Sequence, residues 1–452
     1  MGGERPRPRF AELGGKMASK LIPPEEGPSP VRMIERRLKE RLIGQDRAIR
    51  EITRALERAY AGLKNPDHPV AVLAFFGPTG TGKTLAAEVL ADSFPKRRVW
   101  RCSRYQECHF EITAEELQKT GEGSPKSCPA HAQRANAIVR VDRIELPNIW
   151  VIDCGGMGAS LDHAVTVLVG SPPSYVGHDT PPLFTGKAPK VVLFDEAEKA
   201  LLTESWHGGS SFTNILLKIL DKGKIRNNHG EIVDFTNSVI ILTGNLGAGE
   251  ILREFHAKLG FATSGKPKKD FLHMTDEEIA EMNERIYSVV KEKAERDLAP
   301  EFLNRLDRLV VFHFLTRRDY EAILGNEIAK VQQRILQAVQ GGKVPPFVLT
   351  FSPEATQFLL RESMADRRFG ARPMIRVLEK RVVTPLSVLV NNKMIEAADH
   401  LEARVEKGSG EEDPGEKEMI VFYRFPPSED PLLLSPPKLR RRRTSSPEGG
   451  SA

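Results

Sequence analysis

Residues Gly77-Pro78-Thr79-Gly80-Thr81-Gly82-Lys83-Thr84 read GPTGTGKT. They follow the apolar run Ala71-Val72-Leu73-Ala74-Phe75-Phe76 and precede Leu85-Ala86-Ala87-Glu88-Val89-Leu90. An unbroken apolar run of this length reads as a strand buried on both faces, and the segment after the loop reads as a helix. The spacing of Gly77, Gly82, Lys83 and Thr84 fits the phosphate-cradling pattern G-x-x-x-x-G-K-[ST] in its required strand-to-helix context. Glycines at 77, 80 and 82 let backbone N–H groups close on phosphate oxygens, and the helix N-terminus adds its dipole. Lys83 is then expected at the β- and γ-phosphates, and the Thr84 hydroxyl on Mg²⁺. The competing reading is a glycine turn of no chemical consequence.

Further runs extend the same architecture. Ile149-Trp150-Val151-Ile152-Asp153, Val191-Val192-Leu193-Phe194 and Val239-Ile240-Ile241-Leu242-Thr243 read as buried strands, with helical stretches between them. This alternation predicts a parallel α/β sheet. The run at 191 ends in Asp195-Glu196, which suits Mg²⁺-dependent hydrolysis beside a phosphate loop. Asp195 is expected to hold the metal, and Glu196 to orient and deprotonate the attacking water. An acidic cap on the following helix is the alternative. Asn245 is placed to touch water or the γ-phosphate, although Gly244-Asn245 is also ordinary turn chemistry.

The 452 residues suffice for two or three domains, and 40% apolar with 28% charged residues fits a globular chain. No stretch approaches the roughly 20 apolar residues of a membrane span. Met1 to Pro8 lacks a hydrophobic signal core, and Pro6 breaks the myristoylation pattern. Four cysteines argue for a reducing, cytoplasmic setting rather than a disulfide framework. The net charge of +5 is too diffuse to indicate nucleic acid; its dense cluster is Arg440-Arg441-Arg442-Arg443.

Residues 1–30 and 426–452 have the Pro, Gly and charge content of disordered segments. A larger α/β unit is expected over 31–313, beginning with two amphipathic helices broken near Ile43-Gly44-Gln45. A smaller α+β unit is expected over 314–425. It has helices at 317–340 and 353–363, a strand at Phe347–Phe351, a helix from Ala371, and hairpin strands at His400–Glu406 and Glu418–Phe425.

Six segments in order resemble the second ATPase module of Clp-type AAA+ unfoldases. They are Ile43-Gly44-Gln45, GPTGTGKT, VVLFDEAEK, IILTGNLG, Glu301-Phe302-Leu303-Asn304-Arg305-Leu306-Asp307 and Phe369-Gly370-Ala371-Arg372-Pro373. The likeness covers about residues 31–425 apart from 96–148. It implies a P-loop NTPase of the AAA+ class, with a parallel-sheet large domain and a small α+β lid, working as a ring, expected to be a hexamer, on ATP and Mg²⁺. It implies that Ile43 and Gly44 line the adenine pocket, that Asn245 is a first sensor and Arg372 a second, and that Arg305 is an arginine finger for the neighbouring subunit. Arg305 and Arg372 read without the resemblance are surface ion-pair residues.

Within Gly170 to Gly177, GSPPSYVG, the resemblance makes Tyr175 the polypeptide-gripping residue of a pore loop and Val176 its apolar neighbour. Ser174 stands where the family has Gly; a Pro-rich surface turn is the other reading. Leu259-Gly260-Phe261 resembles the tripeptide by which such unfoldases dock on a barrel-shaped peptidase, against the alternative of a helix C-cap. The implied function is an ATP-dependent unfoldase threading unfolded or tagged proteins, with no proteolytic chemistry of its own. A nucleic-acid or complex-remodelling ATPase and a nucleotide-gated scaffold are the rivals.

Lys83 to Asp195 spans 112 positions (195 − 83), long for this family, and the charged segment 96–148 holds the excess. It contains Cys102, Cys108, His109, Cys128 and His131. Cys128-Pro129-Ala130-His131 has the two-residue gap of a zinc knuckle, and Cys102 with Cys108 would complete a Cys₃His set for Zn²⁺, with His109 competing with Cys108 as a ligand. Unligated thiols in a loop are the alternative. Cys154, at the end of a strand, is expected in the core.

Overall fold

The structure is a computed structural model. It describes residues 29–104, 111–113, 117, 127–129, 131, 141–157, 161–171, 182–202, 211–251, 275–406 and 418–425. The expectations for both chain ends, for Cys108, Tyr175 and Val176, and for Leu259 to Phe261 fall outside these residues.

The chain enters through α1 (Pro30–Arg41) and α2 (Asp46–Tyr60). Ser29 caps α1 by accepting from the Val31 N–H, and Pro30 occupies the first turn, where a missing N–H costs nothing. Val31, Ile34 and Leu38 recur at helical spacing and are buried.

Five parallel strands form the main sheet: β1 (Ala71–Phe76), β5 (Ile149–Asp153), β6 (Val191–Asp195), β9 (Val239–Gly244) and β10 (Arg308–Val311). Their spatial order is β10-β1-β9-β6-β5. Both faces are covered, which is why β1 and β9 are apolar without alternation. Leu73, Phe75, Leu193 and Ile241 pack with α1, α2 and α3 (Lys83–Ser93). Val72, Phe76, Phe194 and Leu242 pack on the other face. There they meet the helices Ser211–Lys222 and Asp276–Asp297. The run at 308–311 escaped sequence reading because it is only four residues long and opens with an arginine.

Between α3 and β5 the insertion forms an antiparallel sheet of its own, which composition did not announce. Its central strand β2 (Arg97–Cys102) pairs with β3 (Glu111–Thr113) and β4 (Val141–Leu146). A separate pair, β7 (Lys224–Arg226) and β8 (Ile232–Asp234), precedes β9.

The smaller unit has its own core of Leu324, Leu349, Phe358, Leu359, Met374, Leu378 and Leu401, among others. Its long helix, Arg317–Gln340, starts in a reciprocal capping box between Thr316 and Asp319. The strands β11 (Val348–Phe351), β12 (His400–Glu406) and β13 (Met419–Phe425) form a mixed sheet, parallel then antiparallel. A helix at Pro353–Ser363 and another at Arg372–Leu378 complete the elements that matter for the site. Among the described residues no helix is long and apolar enough to cross a membrane.

Candidate functional site

The C-terminal ends of β1, β9 and β6 lie side by side, so whatever follows each strand converges on one edge of the sheet. After β1 comes the glycine loop. Gly77, Gly80 and Gly82 all take positive φ (141°, 72° and 99°), which the glycines were expected to allow. Lys83 starts α3, is 9% exposed, and donates to the Gly77 and Pro78 carbonyls at 2.9 and 2.7 Å and to Asn245 Oδ1 at 2.9 Å. Burial pushes its ammonium down to about 8, with Glu198 opposing and Arg372 assisting.

β9 lies between β1 and β6, which puts Asn245 between the glycine loop and the acidic strand end. Its Oδ1 also accepts from Thr79 Oγ1 at 3.2 Å, and its backbone N–H donates to Glu198 Oε1 at 3.0 Å. At the end of β6, Asp195 Oδ1 accepts from Thr84 Oγ1 at 3.3 Å and from the Thr243 hydroxyl. A hydroxyl and a carboxylate facing each other beside a buried lysine form the oxygen donor set that suits Mg²⁺. Glu196 adopts φ 54°, donates its N–H to Thr243 Oγ1 at 3.1 Å, and its carboxylate pairs with Lys199.

These groups line a cleft of about 610 Å³ between the larger and smaller units. The lining includes Thr79, Gly80, Thr81, Gly82, Lys83, Thr84, Asp195, Glu196, Asn245 and Arg372. The lining also includes the apolar Leu42, Ile43, Leu315, Ile323 and Ile375, which offer a slot for a planar base, among the charged Glu40, Arg41, Glu327 and Lys330. Ile43, expected at an adenine pocket, is among the lining residues. Gly44 is not among the lining residues; its φ of 74° turns the chain beside Asp319, whose carboxylate would be 2.5 Å from a Cβ there. Gly77 and Pro78 are likewise not lining residues, but their carbonyls hold Lys83.

The smaller unit touches the loop directly. Ala371 N donates to Gly80 O at 3.0 Å, just before Arg372 enters the cleft wall. Arg305 is not brought to this cleft. Its guanidinium donates to Glu301 O at 2.6 Å and lies 3.8 Å from Asp221.

Sequence reasoning missed Thr243 and the face of the long helix carrying Ile323, Asn326, Glu327 and Lys330, all lining the cleft, and Glu198, which accepts from the Asn245 N–H behind it. Glu198 lies two residues past Glu196, so a signal was present. Burial pushes its carboxyl up from the usual range, and Oε2 is buried with no partner among the described residues. The helix face carries no motif that sequence alone would flag.

In the insertion, Cys102, Cys128 and His131 converge, their ligand atoms within 4.8 Å of one another. His131 Nδ1 lies 3.5 Å from Cys102 Sγ and 3.4 Å from Cys128 Sγ. Cys154 is buried in the main core, as expected, and burial pushes its thiol up to about 12.

Comparison with known proteins agrees with this geometry. The family model described as AAA domain (Cdc48 subfamily) matches residues 68–309. The model for the C-terminal, D2-small domain of ClpB protein matches residues 315–403. Relatives include the ATP-dependent Clp protease ATP-binding subunit ClpC of Staphylococcus epidermidis and of Staphylococcus saprophyticus, each 32% identical over 361 residues. The same subunit of Staphylococcus aureus is 31% identical. Each match covers 79% of this chain and 34% of the relative, so the chain spans about a third of these proteins' length. With the site, both units and their order in agreement, the chain belongs to the AAA ATPase family, in its Clp-type branch with a D2-small domain.

Proposed function

We propose that the chain is an ATP-dependent protein unfoldase that works as a ring, expected to be a hexamer, and threads polypeptide through a central pore. The observation that carries the hydrolytic part is the meeting of Lys83, Thr84, Asp195 and Asn245 in a cleft that is also lined by Leu42, Ile43, Leu315, Ile323 and Ile375. The glycine loop and Lys83 would hold the β- and γ-phosphates, exchanging the Gly77 and Pro78 carbonyls for phosphate oxygens. Thr84 and Asp195 would hold Mg²⁺, which when bound neutralises charge on the transferring phosphoryl group. Glu196, one residue beyond Asp195, would take the proton of the attacking water. Asn245, already bonded to Lys83 and Thr79, would position that water against the γ-phosphate. Ile43 and the slot around it would take the adenine, and Arg372 would reach the phosphates from the smaller unit.

Arg305 supports the ring. Lying outside its own chain's cleft, it would act as the arginine finger in a neighbour's. Tyr175 and Val176 would grip the threaded chain. Leu259-Gly260-Phe261 would dock a Clp-like peptidase, in keeping with the role that the relatives' name states for them. We place this activity in the cytoplasm and assign no nucleic acid or membrane partner.

The test is steady-state ATP hydrolysis against protein concentration, with and without casein, for wild type, Glu196→Gln and Tyr175→Ala. The reading expects a cooperative rise with concentration, loss in Glu196→Gln, and a response to casein that needs Tyr175. Hydrolysis indifferent to casein and to Tyr175 would refute the unfoldase while leaving the ATPase standing.

A further inference from the structure

The insertion between α3 and β5 is a three-stranded sheet whose strand β2 ends at Cys102. Cys128 and His131 return to that point from 26 and 29 positions further along (128 − 102 and 131 − 102). All three side chains are shielded: Cys102 is 2% exposed, Cys128 0% and His131 9%.

Their spacing is that of donors around a common centre. Zn–S bonds of about 2.3 Å and Zn–N bonds of about 2.05 Å at a tetrahedral angle put sulfur and nitrogen about 3.5 Å apart. The two observed separations are 3.5 and 3.4 Å, and both sulfurs approach the same ring nitrogen, Nδ1. One imidazole nitrogen has a single lone pair or a single hydrogen, so a cation between the three atoms accounts for the arrangement better than two hydrogen bonds do. The backbone supplies a further sign. The Arg104 N–H donates to Cys102 Sγ at 3.3 Å, the kind of outer contact that stabilises a metal-bound thiolate.

We propose that Cys102, Cys128 and His131 bind one structural Zn²⁺ that clips the insertion shut. Two thiolates and an imidazole favour zinc over hard cations, which take oxygen donors. The burial of all three ligands shields the ion from substrate, which suits a staple, and leaves the fourth tetrahedral position to one further donor. A staple is also what this segment lacks otherwise. In β4 four of six residues are exposed, and among its described residues the insertion contributes as buried apolar side chains, apart from the cysteine ligands, only Val99 and Leu117. The site is remote in sequence from the glycine loop and stands independently of the unfoldase reading.

The test uses the full chain, purified under reductant, incubated with ZnCl₂ and dialysed. Elemental analysis is expected to find about one zinc per chain, as for a single site. Cys128→Ser and His131→Ala should each lower that at least tenfold, while Cys154→Ser retains it. ADP binding should persist in all four proteins and shows that each is folded. Removing zinc with a chelator should speed proteolysis within residues 96–148 about tenfold or more, as expected when local opening is no longer held by metal, and re-addition should restore protection. Should the variants fail to fold, Co²⁺ added to the wild-type chain gives the readout: a thiolate-to-cobalt absorption band that zinc abolishes. Folded wild type that holds less than about a tenth of an equivalent of zinc and shows no cobalt band overturns the site. Full zinc content in Cys128→Ser overturns the ligand assignment. Unchanged proteolysis after zinc removal overturns the staple.

Discussion

Gly370→Ala separates closure of the smaller unit from everything else in the cleft. Gly370 has φ 56°, and a Cβ there would lie 2.4 Å from Gly80 O, 2.6 Å from Gly80 C and 2.7 Å from Thr79 O. All three obstacles are backbone of the glycine loop, so no side chain can swing aside. The smaller unit must move off by roughly an ångström, which breaks the hydrogen bond from Ala371 N to Gly80 O. Losing that bond, with its N–H and C=O left poorly paired, costs about 1–3 kcal/mol. Holding alanine at positive φ costs a further ~1–2 kcal/mol. The second cost is internal to the smaller unit and is present whether or not it sits on the loop. It should therefore appear in the melting of that unit and not in ligand affinity. Ile323, Ile375 and Leu315 line the base slot from the smaller unit, so moving that unit off the loop should turn the first cost into lost affinity. That amounts to about 5- to 150-fold weaker binding. Isothermal titration with ADP, which is not turned over, measures it directly. An ADP affinity within threefold of wild type, in a protein confirmed as folded, would refute the claim that this contact helps to build the cleft.

Other outcomes follow from single groups. Lys83 should titrate near pH 8 in the free chain, and a bound polyphosphate would raise its pKa. Nucleotide binding should then take up a proton above pH 8, and affinity should fall as pH rises through that point and stay flat below it. Calorimetry in buffers of different ionisation enthalpy reads the uptake, and Lys83→Arg should abolish it. Glu198→Ala leaves the Asn245 N–H without its acceptor and should cost about 1–3 kcal/mol of stability in denaturant titration, whereas Glu198→Gln should be near neutral. Arg305→Ala should cut steady-state turnover by ~10³–10⁵ while leaving ADP affinity of the chain unchanged; equal losses in both would show that Arg305 serves its own cleft.

How much was legible in the sequence depended on whether a residue acts through pattern or through placement. The strands β1, β5, β6 and β9 are uninterrupted apolar runs, and the glycine loop carries its own spacing, so both could be read directly. β10 is too short to announce itself and exists because β1 offers it an edge, with Leu73 to Phe76 in register with Arg308 to Val311. The positions of Asn245 and Asp195 followed from their strands, but the reason they meet is the order β1-β9-β6, which no local pattern encodes. The wall formed by Ile323, Asn326 and Lys330 was invisible because it depends on how the smaller unit packs. Gly44 shows the opposite case, a motif position whose glycine answers to Asp319 rather than to the cleft.

The insertion shows why a large departure in sequence leaves the ATPase sheet undisturbed. It leaves after α3 and returns before β5, and its two ends are held together by the register of β2 on β4, from Arg97 opposite Leu146 to Cys102 opposite Val141. To the sheet, the segment is a closed loop whose ends are already adjacent, so its length adds little closure cost there. Yet the elements it joins are both tied to chemistry. α3 begins with Lys83 and Thr84, and β5 pairs with β6 up to Asp153 opposite Asp195. Just beyond, Gly155 sits close to the Glu196 carboxylate, where a Cβ would be 2.3 Å from Oε2. A shift of the insertion's base thus has a short route to both the phosphate loop and the acidic strand end. Whether that route is used turns on the rigidity of the insertion itself. If Cys102, Cys128 and His131 lock its far end, removing the metal should loosen the base strands and change nucleotide turnover without altering any residue of the cleft. A chain whose turnover is the same with and without zinc, while its insertion is cleaved faster, would show that β2 and β4 isolate the site from the loop they carry.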